Sequence, residues 1–278
     1  MIELGIFAKT FEGSEPATVL ASVRRAGYRV AQYNMACSGL PSLPDAIPKG
    51  ASEAIRAAAR DTGVKLAAVS ATYNMIHPDP AEREKGHRSL GVIAETASEA
   101  GIPLVTLCTG TRDADDQWCR HRDNDTPEAW SDLLASMSRA IEVAEKHQLE
   151  LGVEPEHANV VDSAEKARRL IEELGSSRVK IVFDPANLVS ANVEEHRRTV
   201  AEAIDILADR IVMAHAKDRD PQGRFVAAGR GVVDYRHYLG CLKSIGFSGP
   251  LVAHGLDADE APKVRKWLGE LLAETGLA

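Results

Sequence analysis

The stretch LELGVEPEHANVVDSAEKARRLIEELG, residues 149–175, holds a short apolar run, a polar turn and an amphipathic segment. The run LELGVE (149–154) has the length and boundaries of a buried strand. Further on, Ser163 stands as an N-cap before Glu165 and Lys166, and Gly175 supplies a C-terminal stop to the helical pattern between them. The stretch is one strand followed by one helix. Whether the chain repeats it decides the fold.

It does, along its whole length. Before it come the apolar runs IELGIF (2–7), RVAQYN (29–34), KLAAVSA (65–71) and PLVTLC (103–108). After it come VKIVFD (179–184), RIVMAHAK (210–217) and PLVAH (250–254). Helical patterns such as EPATVLASVRRAG, PEAWSDLLASMSRAIEVAEKHQ and EEHRRTVAEAIDILAD lie between them, with Gly27, Gly63 and Gly101 as further stops. Eight strands, each followed by a helix, predict a (β/α)₈ TIM barrel, an α/β fold that commonly takes about 250 residues as one domain. The expectation is a single domain over residues 1–278. A doubly wound open sheet would place a glycine-rich phosphate turn after its first strand, and AKTFEGSEP contains no GxGxxG.

Composition narrows the classes of partner. With 44% hydrophobic and 27% charged residues the chain reads as a globular protein, and its formal charge of −8 argues against nucleic acid. No apolar run approaches the roughly 18 residues of a membrane span, and MIELGIFAKTFEG lacks the pattern of a signal peptide. Cys37, Cys108, Cys119 and Cys241 form no CxxC pair, so they read as reduced thiols and the location as cytoplasmic. Cys108, inside an apolar run, reads as a small core residue.

Alternation along a strand puts residues two apart on one face. Gly152, Glu154 and Glu156 share a face, as do Lys180, Val182 and Asp184; so do Met213, His215 and Lys217, and then Val252 and His254. Each of the last four strands thus ends on an acid or an imidazole in a phase compatible with pointing inward. Taken singly, each has a bland reading: a hydrogen-bonded core histidine, or an Asp capping the turn before Pro185. Taken together they would bury several charges, at several kcal/mol per ion unless compensated. A divalent cation held by Glu154, Asp184, His215 and His254 is the natural compensation.

With GVEPEHANVV, IVFDPANLV, IVMAHAKDRD and GRGVVDYRHYLGCLKSIGFSGPLVAHG, the chain resembles the xylose-isomerase-like TIM barrels. These include ketose 3-epimerases, hydroxypyruvate isomerase, inosose dehydratase and the endonuclease IV branch. The resemblance implies a Glu, an Asp, a His and a second Glu as ligands of Mn²⁺, Mg²⁺ or Co²⁺ in the sugar-active members. Glu154, Asp184 and His215 match the first three positions, and His254 stands where the second Glu is expected. A ligating imidazole has no spare acceptor, so His254 cannot also serve as a base, and Glu154 becomes the expected catalytic base. The resulting shell of two nitrogens and two oxygens favours Mn²⁺, Co²⁺, Zn²⁺ or Fe²⁺ over Mg²⁺.

Further residues fit a sugar pocket. Glu156 and Asn187 follow ligand positions and would bind hydroxyls, although Asn187 would equally cap a turn. Lys217 would neutralise an oxyanion or else be a solvated strand end. Asn74 and His77 lie just beyond the third strand as substrate contacts. The long polar connection TGTRDADDQWCRHRDNDTPE (109–128) brings Arg112, Trp118 and His121, with Trp118 as an apolar wall, unless the loop is simply exposed. The expected function is a divalent-metal-dependent isomerase or epimerase moving a proton beside the carbonyl of a keto sugar or polyol. A dehydratase or lyase is the alternative, followed by a non-catalytic sugar-binding barrel. The endonuclease branch fits poorly, because neither AQYNMAC nor SATYNM ends on a histidine. The expected partner is a small carbohydrate, with no nucleic acid and no membrane; a homo-oligomer is compatible with the chain.

Overall fold

A computed structural model of the chain describes residues 1–188 and 192–278. Eight parallel strands close into a barrel: β1 (Glu3–Phe7), β2 (Val30–Tyr33), β3 (Lys65–Ser70), β4 (Leu104–Leu107), β5 (Glu150–Val153), β6 (Val179–Phe183), β7 (Ile211–Arg219) and β9 (Pro250–Ala253). Each pairs with its neighbours in the chain, β6 pairs with β7 and β7 with β9, and β9 returns to β1. Around them stand α1 (Pro16–Arg25), α2 (Ala51–Thr62), α3 (Pro80–Ala100), α4 (Pro127–His147), α5 (Ala164–Leu174), α6 (Val193–Leu207), α7 (Tyr235–Ser244) and α8 (Ala261–Thr275). The expected (β/α)₈ barrel is the observed one.

The helix ends follow local chemistry. Ser163 accepts a hydrogen bond from the Lys166 amide at the start of α5, and Thr126 and Asp234 cap α4 and α7 in the same way. Proline occupies the first turn of α1, α3, α4 and α8, where its missing N–H costs nothing.

Packing separates into two cores. The larger lies between strands and helices, and a smaller one of Ala68, Leu104, Val182, Met213 and Val252 fills the barrel interior. Gly152 belongs to this inner layer: a Cβ there would sit 2.8 Å from Val182 Cγ2, so only glycine leaves room for its neighbours. The inward phase read from the sequence for Val182, Met213 and Val252 is the phase that fills the barrel.

A further strand lies outside the eightfold pattern. After β7 the chain turns back as β8 (Phe225–Ala227), antiparallel to β7, with Lys217 opposite Ala227 and Arg219 opposite Phe225. The buried Asp218 carboxylate fastens the connection that follows by accepting from the amides of Arg219, Gly229, Gly231 and Val233. Gly231 comes so close that a Cβ would lie 2.1 Å from the Arg219 carbonyl oxygen.

Candidate active site

Glu154, Asp184 and His254 are the first residues past β5, β6 and β9, and His215 lies within β7. All four therefore meet at the C-terminal end of the barrel, where this architecture carries its chemistry. His215 Nδ1 is 3.3 Å from Glu154 Oε1 and 3.6 Å from Asp184 Oδ2. On its other side, Nε2 is 2.9 Å from Gln32 Oε1, whose amide nitrogen donates to Thr106 Oγ1. With the Gln32 nitrogen so engaged, its oxygen faces the imidazole and accepts the Nε2 proton. Nδ1 is thereby aimed at the carboxylates. The His254 ring stacks on that of His215 with centroids 5.2 Å apart, and Phe7 packs against its other side at 5.1 Å.

A buried cation completes the cluster. Lys217 Nζ is 3.3 Å from Asp184 Oδ2 and 3.9 Å from Glu156 Oε1, and it donates to Asn187 Oδ1 at 3.2 Å. The Asn187 amide donates in turn to Glu154 Oε1 at 2.9 Å and to the Pro155 carbonyl. Lys217 is thus a buried group and not a solvated strand end. Asn187 bridges the lysine and the glutamate instead of lining the open cavity.

Protonation follows this layout. Burial would raise Glu154, but His215 and Lys217 outweigh it and hold the carboxylate ionised. Asp184 is likewise driven well below the usual range against its burial, mainly by Lys217 and then His215. Burial opposes the charged form of His215, yet Glu154 and Asp184 raise it to about 9. His254 is lowered to about 4 by burial, helped by His215 and Lys217. Glu156 is pushed up to about 8, first by burial and then by the charge of Glu154.

Two atoms in this cluster lack what burial normally demands. His254 Nδ1 has no hydrogen-bond partner, and Asp184 Oδ2, although ion-paired with Lys217, accepts no well-aligned hydrogen bond. Ligand atoms of Asp184, His215 and His254 lie within 4.8 Å of one another. Cys108, Glu154 and Glu156 form a second group of that span. Cys108 is buried as a core residue would be, but its thiol faces the two glutamates and lines the cavity.

That cavity, of about 370 Å³, has Glu154, Glu156, His215 and His254 in its wall, with Gln117 and Trp118 of the long loop. Its remaining wall comes largely from β2, β3 and β4, through Gln32, Ser70, Thr72 and Thr106. These residues lie at or just past strand ends, but without charge nothing in the sequence marks them. Asn74 and His77 line a neighbouring pocket of about 330 Å³ beneath the loop, which Trp118 also borders. Both hold the loop: Asn74 Oδ1 accepts from the Thr111 amide, and His77 Nε2 is 3.1 Å from the Ala114 carbonyl. Arg112 does not line the cavity; it binds Asp132 at 2.7 Å and the Ile76 carbonyl. His121 accepts from the Asp123 amide at the start of a short 3₁₀ turn. The far half of the loop is anchored, with Arg120 bridging Asp162 and Asp125 and Asn124 donating to the Ala158 carbonyl. Trp118 remains half exposed at its tip.

A family model described as xylose isomerase-like TIM barrel matches residues 20–271. The chain belongs to that family. Among curated proteins, none matches its sequence. Solved structures superpose along nearly the full length. A 3-keto-D-glucoside 4-epimerase from E. coli gives a TM-score of 0.76 at 16% identity, covering 97% of this chain and all of its own. A D-tagatose 3-epimerase-like protein gives 0.78 at 16% identity, covering 99% of this chain and 98% of its own. An L-ribulose 3-epimerase gives 0.75 at 17% identity, covering 99% and 96%. At such identities the likeness establishes the fold, and the chemistry rests on the residues.

Proposed function

We propose that the protein is a divalent-metal-dependent isomerase or epimerase that moves a proton on the carbon beside the carbonyl of a keto sugar or polyol. The observation that carries this reading is the pair of buried ligand-type atoms without hydrogen-bond partners, Asp184 Oδ2 and His254 Nδ1, next to His215 and Glu154. Two carboxylates and two imidazoles on four neighbouring strand ends are a donor set suited to Mn²⁺, Co²⁺, Zn²⁺ or Fe²⁺. The residues that would hold the ion are Glu154, Asp184, His215 and His254. A divalent ion there supplies Lewis-acid polarisation of a carbonyl and its neighbouring hydroxyl. That the solved neighbours include two sugar epimerases and an epimerase-like protein agrees with this reading.

The chain's own groups divide the remaining work. Glu154, ionised and in the cavity wall, takes the proton from the substrate carbon. Asn187 orients it through the bond to Oε1. Gln32 fixes the ring of His215, the positioning that ligating imidazoles require of their second nitrogen. Lys217 balances the charge of Asp184 and lies near Glu156. Trp118 closes part of the cavity against water.

Dehydration or β-elimination is the second reading. With His254 in place of a second glutamate, Glu154 is the one carboxylate of the four proposed ligands that lines the cavity, and elimination needs one base. Glu156, on the same cavity wall, would then serve the leaving hydroxyl.

The test is deuterium uptake from heavy water into keto sugars by metal-loaded protein. It detects proton removal in both readings, and analysis of the product separates them. Glu154→Gln is expected to lower exchange by about a hundredfold or more while substrate still binds. Undiminished exchange in the variant would move the base elsewhere, and exchange into no keto sugar would remove the proposal.

A further inference from the structure

The cavity wall is chemically lopsided. Its acids and imidazoles come from β5, β7 and β9, whereas on the β1–β2 side it carries Lys9, Asn34 and Ser42. Lys9 is the single lysine or arginine in the wall, and it forms no ion pair among the described residues. Its Nζ donates to Ser42 Oγ at 3.0 Å, which leaves two of its three N–H bonds unused by the protein.

The neighbours share the same polarity. Ser42 Oγ accepts from Lys9, so its own hydroxyl proton is left to donate. Asn34 is buried, its Oδ1 accepts from the Ala36 amide at 2.9 Å, and its NH₂ group makes no hydrogen bond among the described residues. Three side chains on two adjacent strand-to-helix loops therefore present donors, one of them charged, and no acidic partner is paired with them. The rest of the wall carries the neutral groups Gln32, Ser70, Thr72 and Thr106, of which Gln32 is already engaged by His215 and Thr106.

We propose that Lys9, with Ser42 and Asn34, is an oxyanion subsite that selects a substrate whose end remote from the reacting carbon is a carboxylate or a phosphate. The charge-assisted hydrogen bond from Lys9 supplies most of the preference, since it is about twice as strong as a neutral one. Ser42 positions the ammonium. This rests on the reading of the site as one for keto sugars and names the class of keto sugar.

The experiment compares binding of three six-carbon probes to the metal-loaded protein by calorimetry: a neutral hexulose, a hexuluronate and a hexulose 6-phosphate. At least one anionic probe is expected to bind about tenfold or more tightly than the hexulose, weakening as salt is raised. Lys9→Gln is expected to abolish that advantage while the hexulose binds as before; Lys9→Arg is expected to keep it. Whichever anion gains more identifies the terminal group. Equal binding of all three, failure of both anions to bind, or a Lys9→Gln loss shared by the neutral probe would overturn the subsite. Deuterium exchange on the same probes separates the two proposals. Preferential binding without exchange keeps the subsite and refutes the proton-transfer reading, whereas exchange without anion preference does the reverse.

Discussion

His254 and a carboxylate differ in what each can do once it holds a metal. A carboxylate has lone pairs to spare, so it can ligate through one oxygen and carry a proton on the other. An imidazole that ligates through one nitrogen has only a donor left. The His254 ring packs against Phe7 and His215 with its Nδ1 unpartnered, which on the proposed reading leaves that nitrogen for the ion. We expect His254→Ala to weaken metal binding by about a hundredfold or more, beyond what loss of an outer-shell partner typically costs. Excess metal should restore part of the activity. His254→Glu should retain the ion. Calorimetric titration of Mn²⁺ or Co²⁺ into each variant measures this, and unchanged affinity in His254→Ala would leave the ring as a packing residue or a free acid–base group. At this scale the sequence was legible where charge is costly to bury: Glu154, Asp184, His215 and His254 stand out because four ionisable groups on four strand ends have no bland joint reading. Lys9, Asn34 and Ser42 were not legible, because a single lysine and two neutral polar residues in loops look like any solvated surface until a cavity is seen between them.

Between elements, alternation fixed which face of β6, β7 and β9 points inward, and Gly152 with Val182 and Met213 shows why: the inner layer has room for one arrangement. The loops obey no such period. Asn74, His77 and Arg112, expected as substrate contacts from their position in the chain, fasten the long loop, and Asn74 and His77 also line the pocket beside the cavity. β8, only three residues long (Phe225–Ala227), is too short to carry a detectable pattern. The docking of α3 illustrates a contact that only the tertiary structure supplies. Gly86 lets the helix approach the Tyr73 ring so closely that a Cβ would lie 2.1 Å from it, and one residue on, His87 Nδ1 lies 2.9 Å from the Tyr73 hydroxyl. Burial, aided by Arg139 and opposed by Glu84, lowers the imidazole to about 4. The folded value lies below the unfolded one, so as pH falls through about 6.5 the unfolded chain takes up this proton first. The stability that His87 contributes as a neutral ring is therefore full above that pH and drains away down to about 4. His87→Gln should cost stability at about pH 7.5 and less at about pH 4.5, so thermal melts of the two proteins should converge as the solution is acidified. Curves that stay parallel would show that His87 does not titrate with folding.

For the whole molecule, the barrel gathers Glu154, Glu156, Asp184, His215, Lys217 and His254 at one end, largely out of water and held by strands that are rigidly paired on both sides. Such a cluster opposes folding unless its charges are matched, and in the ion-free chain Lys217 and the protonated His215 face the carboxylates of Glu154 and Asp184. On the proposed reading a divalent ion would displace the His215 proton and tie four strand ends together, so its binding energy would appear as stability of the entire barrel. The most direct measurement is thermal unfolding of chelator-treated protein before and after Mn²⁺, Co²⁺ or Zn²⁺ is restored, with metal content determined on the same samples and Asp184→Asn alongside. The account predicts about one ion per chain and a midpoint raised by about 5 °C or more at saturating metal, with both effects lost in Asp184→Asn. A chain that binds no ion, and melts at one temperature with or without it, would contradict the account.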